Sequence, residues 1–395
     1  MKITKILLLS LVLSLTLGQI ARVSVASAVL YFSDFLILIL IFWSVLFFVT
    51  SSRKLYVPKV FLLVFLFCLI AFISLLFSLN RLAFGSFLVS SLYLIRFVLY
   101  AMSGLLVSNY LRIEDFKDDL LKWITLSGLL LSIFGFFQLI FLPDFSILDP
   151  SLGWDPHKNR LAATFFDPNF TGAYLVIAFV LSFGQRIKNL WVTTVLRGII
   201  LLGIFLTFSR SAWGMLGIAL FTLLLFSKRK IYEKALFFLF IAFLAFASYR
   251  LIPRVQTRLT GITDPSDSAR FRLISWKNTL GFVKDNPIIG VGFNTYRFAQ
   301  ERKGLFDITN PLGGHSGSGA DSSLLLVLAT TGVIGFISYI SIHLFSIFRG
   351  IQEKAPPFLA ISFSLLAESN FINSLFYAPI LLVWFFLLGI YLFRD

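Results

Sequence analysis

The sequence predicts an all-α integral membrane protein of about twelve transmembrane helices with one large loop on the outer side. Three observations carry that reading. Of the 395 residues, 58% are hydrophobic and 13% charged, with 48 Phe and a mean hydropathy of +0.90. A soluble domain carries roughly 25% charged residues and cannot bury so much apolar surface. The apolar residues also fall into runs near 20 residues, the length a helix needs to cross a bilayer, not the ten-residue alternating segments of a β-barrel. Finally, only one long polar stretch interrupts them, at 253–320. Soluble enzymes, disordered chains and disulfide scaffolds are excluded.

In chain order the runs are 6–21, 28–50, 59–79, 84–108, 120–142, 169–185, 191–208, 211–227, 235–252, 321–346, 356–369 and 372–393, the first and eleventh being short. The chain therefore divides into helices one to nine (1–252), the large loop (253–320) and helices ten to twelve (321–395). The first run follows Lys2 and Lys5 and precedes Ala26-Ser27-Ala28, a pattern shared with signal peptides. The reading adopted is a retained first helix, because the inside charge count stays consistent either way.

Charge placement orients the bundle. With the N-terminus inside, the inside segments hold 18 of the 34 Lys and Arg residues, and the short outer segments hold five: Arg22, Arg81, Lys158, Arg160 and Arg210. The positive-inside rule then puts both termini in the cytoplasm and 253–320 outside. The net charge of +15 belongs to orientation and anionic headgroups, not to nucleic acid, because it is spread between runs. Cys68, in an apolar run, has no second cysteine to pair with, and no Cys/His metal spacing is present.

Charges within spans or at their outer edges are the candidate chemistry. Arg210 sits in Phe208-Ser209-Arg210-Ser211-Ala212-Trp213, a brief polar break; it is either a snorkelling turn residue or a functional one. Arg96 lies inside the fourth run, where a mid-bilayer arginine costs on the order of 3 kcal/mol, so it faces a cavity or pairs with Asp34. The large loop opens with Arg250, Arg254, Arg258, Arg270 and Arg272, then Trp276. Guanidinium groups bind phosphate oxygens in a bidentate fashion, while a basic segment on lipid headgroups is the plainer alternative. Asn286-Pro287-Ile288-Ile289-Gly290-Val291-Gly292 reads as a turn re-entering or resting on the membrane. The loop ends in Gly313-Gly314-His315-Ser316-Gly317-Ser318-Gly319, and Asp321 follows at a helix start. His315 or Asp321 is a candidate general base, and Asp321 suits a helix N-cap.

Together these stretches resemble the O-antigen ligase and polymerase superfamily of bacterial envelope glycosyltransferases. The matching segments are Asp167-Pro168-Asn169, Phe208 to Trp213, Arg272-Leu273-Ile274-Ser275-Trp276, Asn286 to Gly292 and Gly332-Val333-Ile334-Gly335. The resemblance implies a GT-C-like twelve-span fold in the inner membrane, with the large loop and active site at the periplasmic face. It implies a glycan donor linked to undecaprenyl diphosphate, and an acceptor that is either another glycan or the lipid A core. Membrane lipids are the remaining partners, and no cofactor or metal is expected. Arg210 and Arg272 match the family's arginines, with Arg270 the alternative to Arg272; Arg96 and Asn169 join them as candidate substrate contacts. The family's base is a His eleven residues before the first Gly of GxxG, and here that position is Asp321. This departure favours a polymerase slightly over a ligase. A transporter of lipid-linked sugar is the rival from another class, and it would need polar residues at mid-span and helices broken near the midplane.

Overall fold

A computed structural model describes residues 1–25, 28–148, 155–185, 189–260, 268–305 and 319–393. The chain begins with α1 (Lys2–Ser14), which tightens into a 3₁₀ turn at Leu15–Ala21. The strands β1 (Arg22–Val25) and β2 (Ala28–Tyr31) follow as an antiparallel hairpin, with Arg22 opposite Tyr31. This short hairpin interrupts an otherwise helical chain, consistent with the all-α expectation, and the second apolar run becomes helical only at Phe32. Alternation in Arg22-Val23-Ser24-Val25 and the β-branched and aromatic residues of β2 suit strands. A run of four is too short to stand out from its apolar surroundings.

The remaining helices are α2 (Phe32–Thr50), α3 (Lys59–Phe77), α4 (Phe84–Ile113), α5 (Lys117–Phe141), α6 (Pro168–Leu181), α7 (Leu190–Leu206), α8 (Arg210–Leu225) and α9 (Ile231–Leu251). Within the large loop come α10 (Pro253–Thr260), α11 (Ser268–Asp285) and α12 (Tyr296–Arg302). The chain closes with α13 (Ser323–Gln352), α14 (Pro356–Glu368) and α15 (Ala378–Tyr391). Among the described residues, seven helical segments are long and apolar enough to cross a membrane, and five apolar helices are shorter.

Burial orders these helices. α15 and nearly all of α6 are enclosed, whereas α9 has no buried residue and α2 turns Phe42 and Val49 outwards. An outward apolar face is what lipid stabilises. α4 and α15 cross where two glycines meet. A Cβ on Gly104 would lie 2.4 Å from the Phe385 carbonyl oxygen, and one on Gly389 would lie 2.3 Å from that of Gly104. Small residues let membrane helices approach this closely.

Both ends of the chain lie together, since Lys5 pairs with Glu114 at 2.6 Å and Arg112 donates to the Phe393 carbonyl at 2.6 Å. The polar loops gather at the other end of the bundle. There α13 breaks at Gly332 (φ 66°, ψ −170°), which frees carbonyls that a straight helix would use internally. Val291 N–H donates to Ala329 O at 2.9 Å, Gly292 N–H to Thr330 O at 3.0 Å, and Val333 N–H to Pro287 O at 2.8 Å. The Ser74 hydroxyl of α3 sits 2.8 Å from Ile289 O and 2.7 Å from Thr330 O. The segment read as resting on the membrane is therefore docked on the kink of α13, and the two glycine motifs form one junction.

Candidate active site

Four loops and helix ends meet opposite the termini. Asp167 caps α6: its Oδ1 accepts from Asn169 N at 2.6 Å and Phe170 N at 3.3 Å, with Pro168 in the first turn. Ser209 caps α8, accepting from Ala212 N at 3.3 Å. Its hydroxyl donates to Asn169 Oδ1 at 2.8 Å, so the two helix starts are tied together. Arg210 is the first residue of α8, and its Nη1 donates to the Arg258 carbonyl at 3.0 Å. Arg258 Nε in turn donates to Phe208 O at 3.3 Å. Arg254 lies over the Phe208 ring and donates to Lys158 O.

Arg160 is buried beneath this group. Its Nε donates to Thr207 O at 2.9 Å, its Nη2 reaches Asn169 Oδ1 at 3.4 Å, and its Nη1 lies 3.4 Å from His157 Nδ1. Burial, then the field of Arg258, lowers the Arg160 pKa to about 9, with Asp167 opposing. Burial likewise lowers His157 to about 4, so its imidazole is neutral near pH 7.

The large loop supplies the other wall. Arg272, Ser275 and Trp276 share one face of α11 because three and four residues make about one turn. Trp276 Nε1 donates to Asp321 O at 2.9 Å and Ser275 Oγ accepts from Asp321 N at 3.1 Å, which holds Asp321 beside α11. Burial raises the Asp321 carboxyl to about 6, against the pull of Arg272 and with a push from Asp167. The expected N-cap role passes to the next residue: the Ser322 side chain accepts from Leu325 N at 3.2 Å. The Asp321 carboxylate is thus not spent on the helix end.

Of the residues singled out from the sequence, Arg210, Arg272, Asn169 and Asp321 come together here. The neighbours acting on Arg272 are Asp321, Arg210, Asp167 and Glu368. Arg270 is exposed on another face of α11. Arg96 is held elsewhere, by Asp34 at 2.8 Å and by the Val29 carbonyl, with Tyr100 donating to the same carboxylate at 2.7 Å. The pairing with Asp34 is the structural alternative named above. His315 lies outside the described residues.

Sequence reasoning missed Arg160 and Glu368. Glu368 ends α14 as a buried carboxylate whose two oxygens lack a hydrogen-bond partner among the described residues. Asp155, His157 and Asp167 bring one donor atom each within 4.8 Å of one another, a grouping able to hold a cation. A search by Cys/His spacing passes over it because two of the three are carboxylates. Arg160 and Arg258, whose charges reach His157, oppose a cation there.

Residues 195–340 match the family described as O-antigen ligase. Over that stretch the chain is similar to the O-antigen ligase family. The matched span holds Arg210, Arg258, Arg272 and Asp321, whereas Arg160, Asp167, Asn169 and Glu368 lie outside it and complete the same site. No curated protein matches the sequence. That similarity, with seven helical segments long and apolar enough to cross a membrane among the described residues, fits a multi-pass membrane protein related to the O-antigen ligases.

Proposed function

We propose that this protein is an inverting glycosyltransferase that moves a glycan from undecaprenyl diphosphate to a sugar hydroxyl at the periplasmic face, with chain polymerisation favoured over ligation to the lipid A core. The observation that carries the reading is the convergence of Arg210 and Arg272 with Asp321, a carboxyl raised to about 6, at one end of an apolar bundle. The acceptor oxygen attacks the anomeric carbon, forming the new C–O bond. The bond from that carbon to the phosphate oxygen breaks, and its electron pair leaves with the lipid diphosphate. Asp321, ionised at neutral pH, takes the proton released from the acceptor hydroxyl. One displacement inverts the anomeric configuration.

Charge grows on the diphosphate as it leaves, so guanidinium groups already in place stabilise the transition state more than the ground state. Arg210 and Arg272 are the direct partners in this reading, while Arg160 and Arg258 hold the loops that present them. An aspartate at the family's histidine position supports the polymerase side.

The test is the reaction of purified protein with the host's own lipid-linked repeat units alone, resolved by gel mobility. A ladder of longer lipid-linked chains supports polymerisation. Transfer only after lipid A core is added supports the ligase reading. Inactivity in both, with donor from the same host, overturns transfer and favours transport.

A further inference from the structure

A cleft of about 220 Å³ lies between α4, α12, α13 and the turn before α15. Gly319 lines it, and Asp321 follows two residues later, so no more than about 7 Å separates their Cα atoms. Tyr296 lines it as well, and feels the Asp321 charge. Phe376 and Tyr93 give it aromatic walls, while Arg297 and Asn373 give it polar ones.

Several polar atoms of that lining lack a partner among the described residues. Arg297 Nε and Nη2 and Asn373 Oδ1 are buried atoms with no hydrogen-bond partner among the described residues. The Arg297 guanidinium lies 4.8 Å from the Phe298 ring centre and 5.7 Å from that of Tyr93, and among the described residues no carboxylate pairs with it. Arg96 also borders the cleft, but its charge is matched by Asp34. A half-buried guanidinium with no carboxylate partner among the described residues is costly. Its planar fork fits a carboxylate or phosphate better than any neutral group. Aromatic walls with a few fixed polar groups are the usual lining of a small-ligand site. An acyl chain would leave every one of these polar atoms unpaired.

We propose that this cleft binds an acidic sugar of the acceptor glycan, with Arg297 on its carboxylate or phosphate and Asn373 on a hydroxyl, so that the acceptor reaches Asp321. Naming that sugar the acceptor rests on the transferase reading above; the binding itself does not. The cleft also separates the two substrates, because the arginines assigned to the donor are Arg210 and Arg272, neither of which lines it.

Saturation-transfer NMR on the full chain in phosphatidylcholine nanodiscs tests it, with glucuronic acid, glucose 6-phosphate and glucose as probes. The expected result is at least about tenfold tighter binding of one anionic sugar than of glucose, in keeping with charge-assisted hydrogen bonds. Which anion binds identifies the acidic group. Arg297→Gln is expected to erase the preference, Arg297→Lys to keep part of it, and Asn373→Ala to weaken binding roughly three- to tenfold. Size-exclusion profiles check that each variant folds, and the lysine and alanine variants decide the matter if the glutamine variant does not.

Equal binding of glucose, or an unchanged preference in Arg297→Gln, overturns the proposal. So does loss of sugar binding when phosphatidylglycerol is added to the disc, which would make the cleft a lipid-headgroup site. No donor is needed for this readout. Sugar binding without transfer would sink the transferase reading alone, and transfer by a protein indifferent to both anionic sugars would sink the cleft alone.

Discussion

Gly332→Ala is expected to undock the large loop from α13. Gly332 sits at φ 66°, ψ −170°, a conformation that L-residues rarely adopt, and an added Cβ would lie 2.1 Å from the Ile288 carbonyl oxygen and 2.2 Å from its carbon. The obstacle is backbone, so no side-chain rotation relieves it. Placing a non-glycine residue in such a region costs about 1–3 kcal/mol. The clash also separates the strip held by Val291 N–H to Ala329 O, Gly292 N–H to Thr330 O and Val333 N–H to Pro287 O. At about 1 kcal/mol for each hydrogen bond, the total comes to roughly 4–6 kcal/mol, comparable with the whole 5–15 kcal/mol margin of a folded protein. Thermal scanning in detergent should show a midpoint lowered by about 10 °C, taking about 2 °C per kcal/mol for a long chain. Transfer should fall with it, because Asp321 precedes the same helix. Gly217→Ala is the control, since a Cβ there meets nothing within 4 Å. A Gly332→Ala protein with an unchanged midpoint and full activity would refute the claim that this junction positions the site.

Three further outcomes follow from the same geometry. A base must be deprotonated to act, so activity is lost as pH falls through the Asp321 value of about 6: log kcat/KM should rise by about one per pH unit below it and level above it, and Asp321→Asn should abolish that slope. His157, lowered to about 4, stays neutral across that window and adds no second inflection. Arg272→Ala should lower kcat by about 10²- to 10³-fold, as loss of a transition-state donor does, whereas Arg270→Ala, on an exposed face, should stay within about threefold; equal losses would contradict the assignment. Asp34→Asn should destabilise by about 3 kcal/mol by leaving Arg96 uncompensated, and Asp34→Asn with Arg96→Met should recover part of that loss in thermal scans, since removing both charges is cheaper than removing one.

The order of apolar helices was legible because lipid-facing helices are apolar all round, as α2 and α9 are, and their lengths stand out in a window of 20 residues. The β1–β2 hairpin was not, since four-residue strands vanish within such a window. Arg210, Arg272 and Asn169 were legible as polar breaks and motif positions. Arg160 was missed because the carbonyl that holds it, Thr207 O, lies 47 residues away at the end of α7, and no local pattern joins them. Glu368 was missed because no motif surrounds it in an apolar run, although it ends α14 at the site. The choice between Asp321 and Ser322 as cap turned on backbone geometry, since both residue types cap helices well. The two glycine motifs were visible separately, but their contact depends on positive φ at Gly290 and Gly332, which sequence spacing does not report.

The most direct measurement is release of undecaprenyl diphosphate from a lipid-linked glycan by the purified protein, compared with Arg210→Ala, Arg272→Ala and Asp321→Asn. The expected result is release from lipid-linked repeat units alone, one serving as acceptor for another, with an inverted anomeric linkage in the product and a loss of at least about 10²-fold in each variant. Release by all three variants at the wild-type rate, or a product of retained configuration, would contradict it.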